Sequence, residues 1–165
     1  MKELVYLFEN SLRACEIAGQ DQEIDKKAMQ QQLGYIQSEV QEIADALQED
    51  DLVEVLDGCV DTLVTVFGML QKLQGHGAWL EKAFVKTADN NLSKFPESEE
   101  VALQSQQFYL DTKNKETKIQ YNPEYKRYVI RDMQGKYLKP KGFVENDLSD
   151  CFPKEDHAGV RWSKA

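Results

Sequence analysis

The chain has 165 residues, 41% hydrophobic and 30% charged, with a formal net charge of −9. That length suits one domain with a sizeable core, and the acidic balance excludes a general nucleic-acid or anionic-membrane binder, which would carry a basic patch. Three scattered cysteines, Cys15, Cys59 and Cys151, contain no C-x-x-C pair and support neither a disulfide framework nor a zinc ribbon. That cysteine usage makes a reducing cytoplasm the expected setting; no signal peptide is read at the start, and no apolar run is long enough to span a bilayer.

The first expected helix runs from residue 3 to about 18, with Leu4, Leu7, Phe8, Leu12, Cys15 and Ile17 as its apolar positions. Two longer helices follow, over about 24–48 and 51–74, and the Gly75-His76-Gly77 sequence then stops the run before a fourth helix over about 77–92. On the second helix Leu33, Ile36, Val40, Ile43 and Leu47 form one apolar stripe, and on the third Leu52, Leu56, Val60, Leu63, Phe67 and Leu70 form another. Both stripes read as core. Asp50 or Asp51 serves as N-cap and early-turn acid of the third helix.

After Phe95-Pro96 a polar helix or loop covers about 97–108. The segments TKIQY, YKRYVIRD and GKYLK then alternate and carry aromatic and β-branched residues, as in a small hairpin or meander, with Asp132-Met133-Gln134-Gly135 as a turn. The tail from about Cys151 is poor in apolar residues and reads as extended or partly disordered. The expected fold is mainly α, a helical core over residues 1–95 with an extension of short strands over 96–165 packed on the same domain.

Charge is unevenly spread. Residues 1–75 hold fifteen acids against five bases, and residues 76–165 hold fourteen against fifteen. In the acidic half, Glu39 and Glu42 lie three apart on the second helix, while Glu54, Asp57 and Asp61 share a strip of the third that continues through Thr65 and Gly68. Side chains three or four apart on a helix are neighbours, so each group points its carboxylates one way. From Glu54 to Gln71 the sequence has no basic residue, unlike an ordinary solvated face. Two facing helices with acidic pairs offer the hard oxygen ligands that Mg²⁺ takes, and a cation relieves the repulsion between like charges at this spacing. With only His76 and His157 in the chain, the Glu-x-x-His pairs of di-iron bundles are missing and a histidine-based metal site is not expected. Cys59 reads as a small packing residue rather than a nucleophile.

These motifs resemble a family. The run EVQE, then EVLDGCVDTLVTVFG, then AFVKTADNNLSKF is similar to the MazG-like all-α nucleoside triphosphate pyrophosphohydrolases, especially their short phage-type members. The resemblance covers about residues 28–96 and extends more faintly to GKYLKPKGFVENDL. Two departures stand out: Ser38 occupies a position where the family often has an acid, and the second acidic motif fits in two registers. Glu54 and Asp57 satisfy E-x-x-D literally, whereas spacing to the downstream glycines matches Asp61 to the family aspartate and puts Gly58 at the family glutamate.

The resemblance implies Mg²⁺-dependent hydrolysis, with Mn²⁺ able to substitute, of ribo- or deoxyribonucleoside triphosphates between the α- and β-phosphates. It implies Glu39, Glu42, Asp57 and Asp61 as metal ligands, Glu54 as an outer or second-ion ligand, and Glu39 or Glu42 as general base. Asn91 and Lys94 of NNLSKF, with Lys86 as a further candidate, are expected to meet phosphate, and Tyr35 is a possible neighbour of sugar or base. Family members usually form homodimers or homotetramers. The competing expectation is a catalytically degenerate nucleotide-binding or protein-interaction module on the same helices, for which Ser38 and Gly58 speak.

Overall fold

The computed structural model describes residues 2–22, 25–75 and 77–153. His76, His157 and the rest of the tail beyond Pro153 lie outside the described residues, as do the expectations attached to them. Five helices, α1 (Lys2–Ile17), α2 (Lys26–Gln48), α3 (Leu52–Gly75), α4 (Leu80–Leu92) and α5 (Glu99–Lys113), precede three strands, β1 (Thr117–Asn122), β2 (Arg127–Asp132) and β3 (Tyr137–Leu138). The chain is therefore mainly helical with a small three-stranded antiparallel sheet in the order β1-β2-β3. Among the described residues, no helix is long and apolar enough to cross a membrane. The chain divides into two compact units, one of residues 2–80 with 149–153 and one of residues 81–148.

In the first unit α2 begins at Asp25, whose side chain accepts a hydrogen bond from the Ala28 N–H at 2.8 Å. It ends in a tight reversal where Asp50 adopts a left-handed conformation, φ 56°, which a short polar residue tolerates. Asp51 then caps α3: its Oδ1 accepts the N–H groups of Val53 and Glu54 at 3.0 and 3.2 Å. Of the two expected caps, Asp51 does the capping and Asp50 makes the turn.

α2 and α3 pack antiparallel through small and polar residues. The buried positions are Ala28, Gln32 and Ala46 on one helix and Gly58, Gly68 and Lys72 on the other. Lys72 is satisfied by the Gln20 carbonyl at 3.1 Å. α1 docks on the C-terminal half of α3, where Phe8 meets Phe67 edge to face with ring centroids 4.9 Å apart.

Among the described residues, much of the two apolar stripes read as core is exposed. Leu33, Val40 and Leu47 on α2 are exposed, as are Leu52, Leu56, Val60 and Leu63 on α3, with Leu52 76% accessible and Leu56 66%. The physical reason lies in which faces the first unit's own helices cover. α2 uses its Gln32–Glu39–Ala46 side to meet α3, and α1 reaches the α3 stripe at Phe67. Cys59 is likewise exposed rather than packed.

The second unit is organised by α5 and the sheet. Ser105 is fully buried, donates to the Val101 carbonyl and accepts the Lys141 N–H at 2.8 Å, while Gln106 donates to the Thr117 carbonyl at 2.7 Å. β1 pairs with β2 so that Ile119 faces Ile130, the latter fully buried, and the turn into β3 has Gly135 at φ 89°. The expected meander is present, and the stretch over 97–108 is helix rather than loop, continuing to Lys113 where Asn114 stops it in a left-handed conformation.

Candidate metal centre

Contacts between α2 and α3 fix which turns face each other. Gln32 lies over Gly68 and donates to the Thr65 carbonyl at 2.8 Å; eleven residues later on α2, Ile43 lies over Gly58. A Cβ built on Gly58 would stand 2.7 Å from Ile43 Cγ1 and 3.7 Å from the Glu39 carbonyl oxygen, so only glycine lets the helices meet this closely there. Because both helices rise by the same amount per residue, this antiparallel register sets Glu39 level with Asp61 and Glu42 level with Asp57.

Electrostatics give the same grouping. Glu39 is half-buried, and its carboxyl is pushed above the ordinary glutamate range, first by burial and then by the negative charges of Glu42, Asp61 and Asp57. Two helices thus deliver four carboxylates to one locality. Among the described residues, none of these four side chains has an ion pair or a hydrogen bond. An acid with raised pKa, surrounded by acids and lacking any cation, is an unfavourable arrangement that a hard divalent cation would relieve. The donor set fits Mg²⁺ in chemistry. Among the described residues no group of three or more histidine, cysteine or carboxylate side chains is close enough to hold an ion, so the carboxylates share a face of the helix pair without forming a ligand cluster.

Glu54 is exposed and sits one turn nearer the start of α3, level with the last turns of α2, and it is not among the charges acting on Glu39. Tyr35 lies one turn before Glu39 on α2, and its hydroxyl accepts a hydrogen bond from Gln31 at 2.6 Å. The Ser38 hydroxyl is turned back to the Tyr35 carbonyl at 2.8 Å.

The three expected phosphate contacts belong to the second unit. Lys94 Nζ donates to Asn91 Oδ1 at 2.7 Å at the end of α4. Lys86 donates to the Asp147 carbonyl, Asn90 to the Val144 carbonyl at 2.8 Å, and Asn146 to Thr87 Oγ1 at 2.9 Å. Lys86 therefore takes part in fastening the segment 144–147 along α4.

The sequence reading missed Gln32, which is buried and bridges the two helices. The available signal was its position on the Glu39 strip, two turns earlier. It also read Gly58 only as a lost acid, whereas a glycine flanked by Asp57 and Asp61 is what lets α2 approach them. Comparison with protein-family models, curated proteins and solved structures gave no match to this chain.

Proposed function

We propose that this protein is a Mg²⁺-dependent hydrolase that cleaves nucleoside triphosphates between the α- and β-phosphates, releasing the monophosphate and pyrophosphate. The observation that carries this reading is Glu39, held half-buried against Asp61 and Asp57 with its carboxyl pushed up and no partner to neutralise the cluster. Such an excess of carboxylate is costly in a protein that binds nothing and useful in one that recruits a cation and, through it, a polyphosphate.

Glu39 and Glu42 from α2 and Asp57 and Asp61 from α3 would hold the ion, and Glu54 would lie outside that group. When bound, Mg²⁺ supplies charge neutralisation and Lewis-acid polarisation at the phosphorus centre. Whichever of Glu39 and Glu42 stays free of tight coordination takes the proton of the attacking water. The antiparallel pairing of α2 with α3, held close at Gly58 and tied by Gln32, fixes the backbone turns that carry these acids, and their side chains would have to swing inward for three of them to meet one cation.

A second reading is favoured by Ser38, whose hydroxyl is spent on its own helix, and by Gly58, which offers no ligand. It keeps metal and nucleotide binding and lacks turnover. The test incubates the protein with Mg²⁺ and each ribo- and deoxyribonucleoside triphosphate and separates monophosphate plus pyrophosphate from diphosphate plus phosphate. The first pair of products from any nucleotide supports the proposal, and the second pair rejects it. A melting temperature raised by Mg²⁺ and nucleotide without turnover selects the binding module, and no response to either makes the helices purely structural.

A further inference from the structure

In the second unit β1 is an outer strand: β2 lies on one side of it and, among the described residues, no strand lies on the other. The direction of its free main-chain groups follows from β2. The Asp132 N–H donates to the Lys136 carbonyl at 2.9 Å and the Tyr128 N–H to the Pro96 carbonyl at 2.8 Å, both on the side away from β1. In an antiparallel ladder alternate residues turn their main-chain groups to opposite sides. Thr117, Ile119 and Tyr121, the register partners of Asp132, Ile130 and Tyr128, therefore present N–H and C=O to the open edge. The Thr117 carbonyl is taken by Gln106 at 2.7 Å, while the main-chain groups of Ile119 and Tyr121 have no partner among the described residues.

Open edges are commonly blunted by a bulge, a proline or a covering loop. β1 instead pairs unbroken with β2 over its six residues and has no proline within it. A hollow flanks it on each face. On the α5 side Gln106 and Leu110 of the helix, with Thr117 and Met133, line about 350 Å³, and the exposed Leu110 and Met133 make this hollow apolar. On the opposite face Gln120, Asn122, Val129 and Arg131 line about 270 Å³, with Glu124 at the hairpin end. Lys118 stands directly across the ladder from Arg131. Among the described residues neither has an acidic partner, Arg131 donating to the Gly135 carbonyl at 2.8 Å.

We propose that the open edge of β1 receives an extended acidic segment of another protein, added to the sheet as a further strand. Residues 113–141 hold nine bases and three acids, so this part of an otherwise acidic chain draws negative charge. Side chains alternate between the two faces of a strand, and the hollows lie about three residues, roughly 10 Å, apart along β1. A segment alternating apolar and acidic residues thus sets its apolar side chains against Leu110 and Met133 and its carboxylates towards Lys118 and Arg131. Main-chain bonding to Ile119 and Tyr121 gives affinity, and the alternation gives specificity. The same charges oppose a second copy of this edge, because pairing β1 with itself gathers Lys118 and Arg131 of both chains on one face.

The test adds the synthetic peptide acetyl-Glu-Leu-Glu-Val-Glu-Leu-amide to the isotope-labelled full chain and follows amide shifts and hydrogen exchange. Binding at ~1 mM peptide or below is expected, with exchange at Ile119 and Tyr121 slowed by about tenfold or more and little change at Lys118 and Gln120, which already bond β2. The same peptide N-methylated at every residue, a version with lysine for glutamate, and the variant Lys118→Glu with the original peptide are each expected to weaken binding by about tenfold or more. No binding at ~1 mM would overturn the proposal, as would equal binding of the N-methylated or lysine peptide, or binding that leaves exchange at Ile119 and Tyr121 unchanged. Protection of those two amides that grows with protein concentration in the absence of peptide would assign the edge to a second copy and overturn it too. None of these readouts involves metal or nucleotide, so the hydrolase reading and the peptide edge can fail separately.

Discussion

Two acidic residues in different units of this protein meet opposite fates. Asp132, at the end of β2, is buried, yet Lys115 Nζ stands 2.9 Å from its Oδ2, and its Oδ1 accepts the N–H groups of Lys136 and Gln134 at 2.9 and 3.1 Å. Its carboxyl is held below the ordinary aspartate range, chiefly by the hydrogen bond from Lys115 against the opposing effect of burial. Glu39 is less buried, yet its carboxyl is pushed up because its neighbours are Glu42, Asp61 and Asp57. A carboxylate that the fold needs is supplied with donors by the fold. One left among its own kind is what the proposed cation would relieve.

The sharpest way to break this contrast is Asp61→Asn. If the α2–α3 acids hold the catalytic ion, hydrolysis falls at least about a hundredfold, beyond the 10–100-fold typical of an outer-shell partner, while circular dichroism is unchanged. Glu54→Gln, outside the group acting on Glu39, changes turnover only a few-fold. Equal losses from the two substitutions would rule out the assignment of Asp61 over Glu54.

Next in size is the effect of parting the helices. Gly58→Ala drives a methyl group against Ile43 and is expected to cost about 1–3 kcal/mol, the usual range for overpacking, and to weaken Mg²⁺ binding measured by calorimetry. Gly34→Ala, on the same α2 but with nothing within 4 Å of the added carbon, gains about 0.5–1 kcal/mol from helix propensity. A Gly58 variant as stable as the Gly34 variant would mean that the close approach is unimportant.

How much of this was legible beforehand follows from the same residues. Periodicity placed Glu39, Glu42, Asp57 and Asp61 on single faces and located α2 and α3 to within two residues, helped at α3 by the cap Asp51, while the Asp25 cap of α2 emerged only in the structure. It did not reveal which turn of one helix faces which turn of the other. That depends on Gly58 and Gly68, where the signal is an absent side chain. Nor did it reveal that Leu52, Leu56, Val60 and Leu63 stay exposed, since a period states which residues share a face and not whether the chain has another element to lay on it. In the second unit the alternation of TKIQY and RYVIRD carried the strands directly, while α5 was half-recognised because its polar face is broad and its contact residues, Ala102 and Ser105, are small.

The two carboxylates should also separate under pH. Asp132 has a depressed folded-state pKa, so its contribution is present above the unfolded aspartate value and is lost as pH falls through the folded one. Glu39 has a raised pKa, so its contribution is fully present below the unfolded glutamate value and is lost as pH climbs through the folded one. Between pH 7 and the low end of the carboxylate range, amide hydrogen exchange without metal is expected to slow in α2 and α3 as Glu39 takes up its proton, and then to quicken in β2 as Asp132 does.

The smallest effect isolates Glu39 itself. Glu39→Gln keeps the shape and removes the charge that Glu42, Asp61 and Asp57 oppose, each like-charge pair being worth a few tenths of a kcal/mol. In metal-free buffer at pH 7 the melting temperature is expected to rise by about 1–2 °C, given roughly 2–4 °C per kcal/mol at this chain length. With saturating Mg²⁺ the order reverses, because the wild type gains a ligand's worth of binding that the variant lacks. Asp132→Asn runs the other way in both buffers: it weakens the pairing with Lys115 and lowers the melting temperature whether or not Mg²⁺ is present. A Glu39→Gln protein that melts below the wild type in metal-free buffer would place Glu39 with Asp132, among the acids the fold needs, and would remove the main support for a cation at α2–α3.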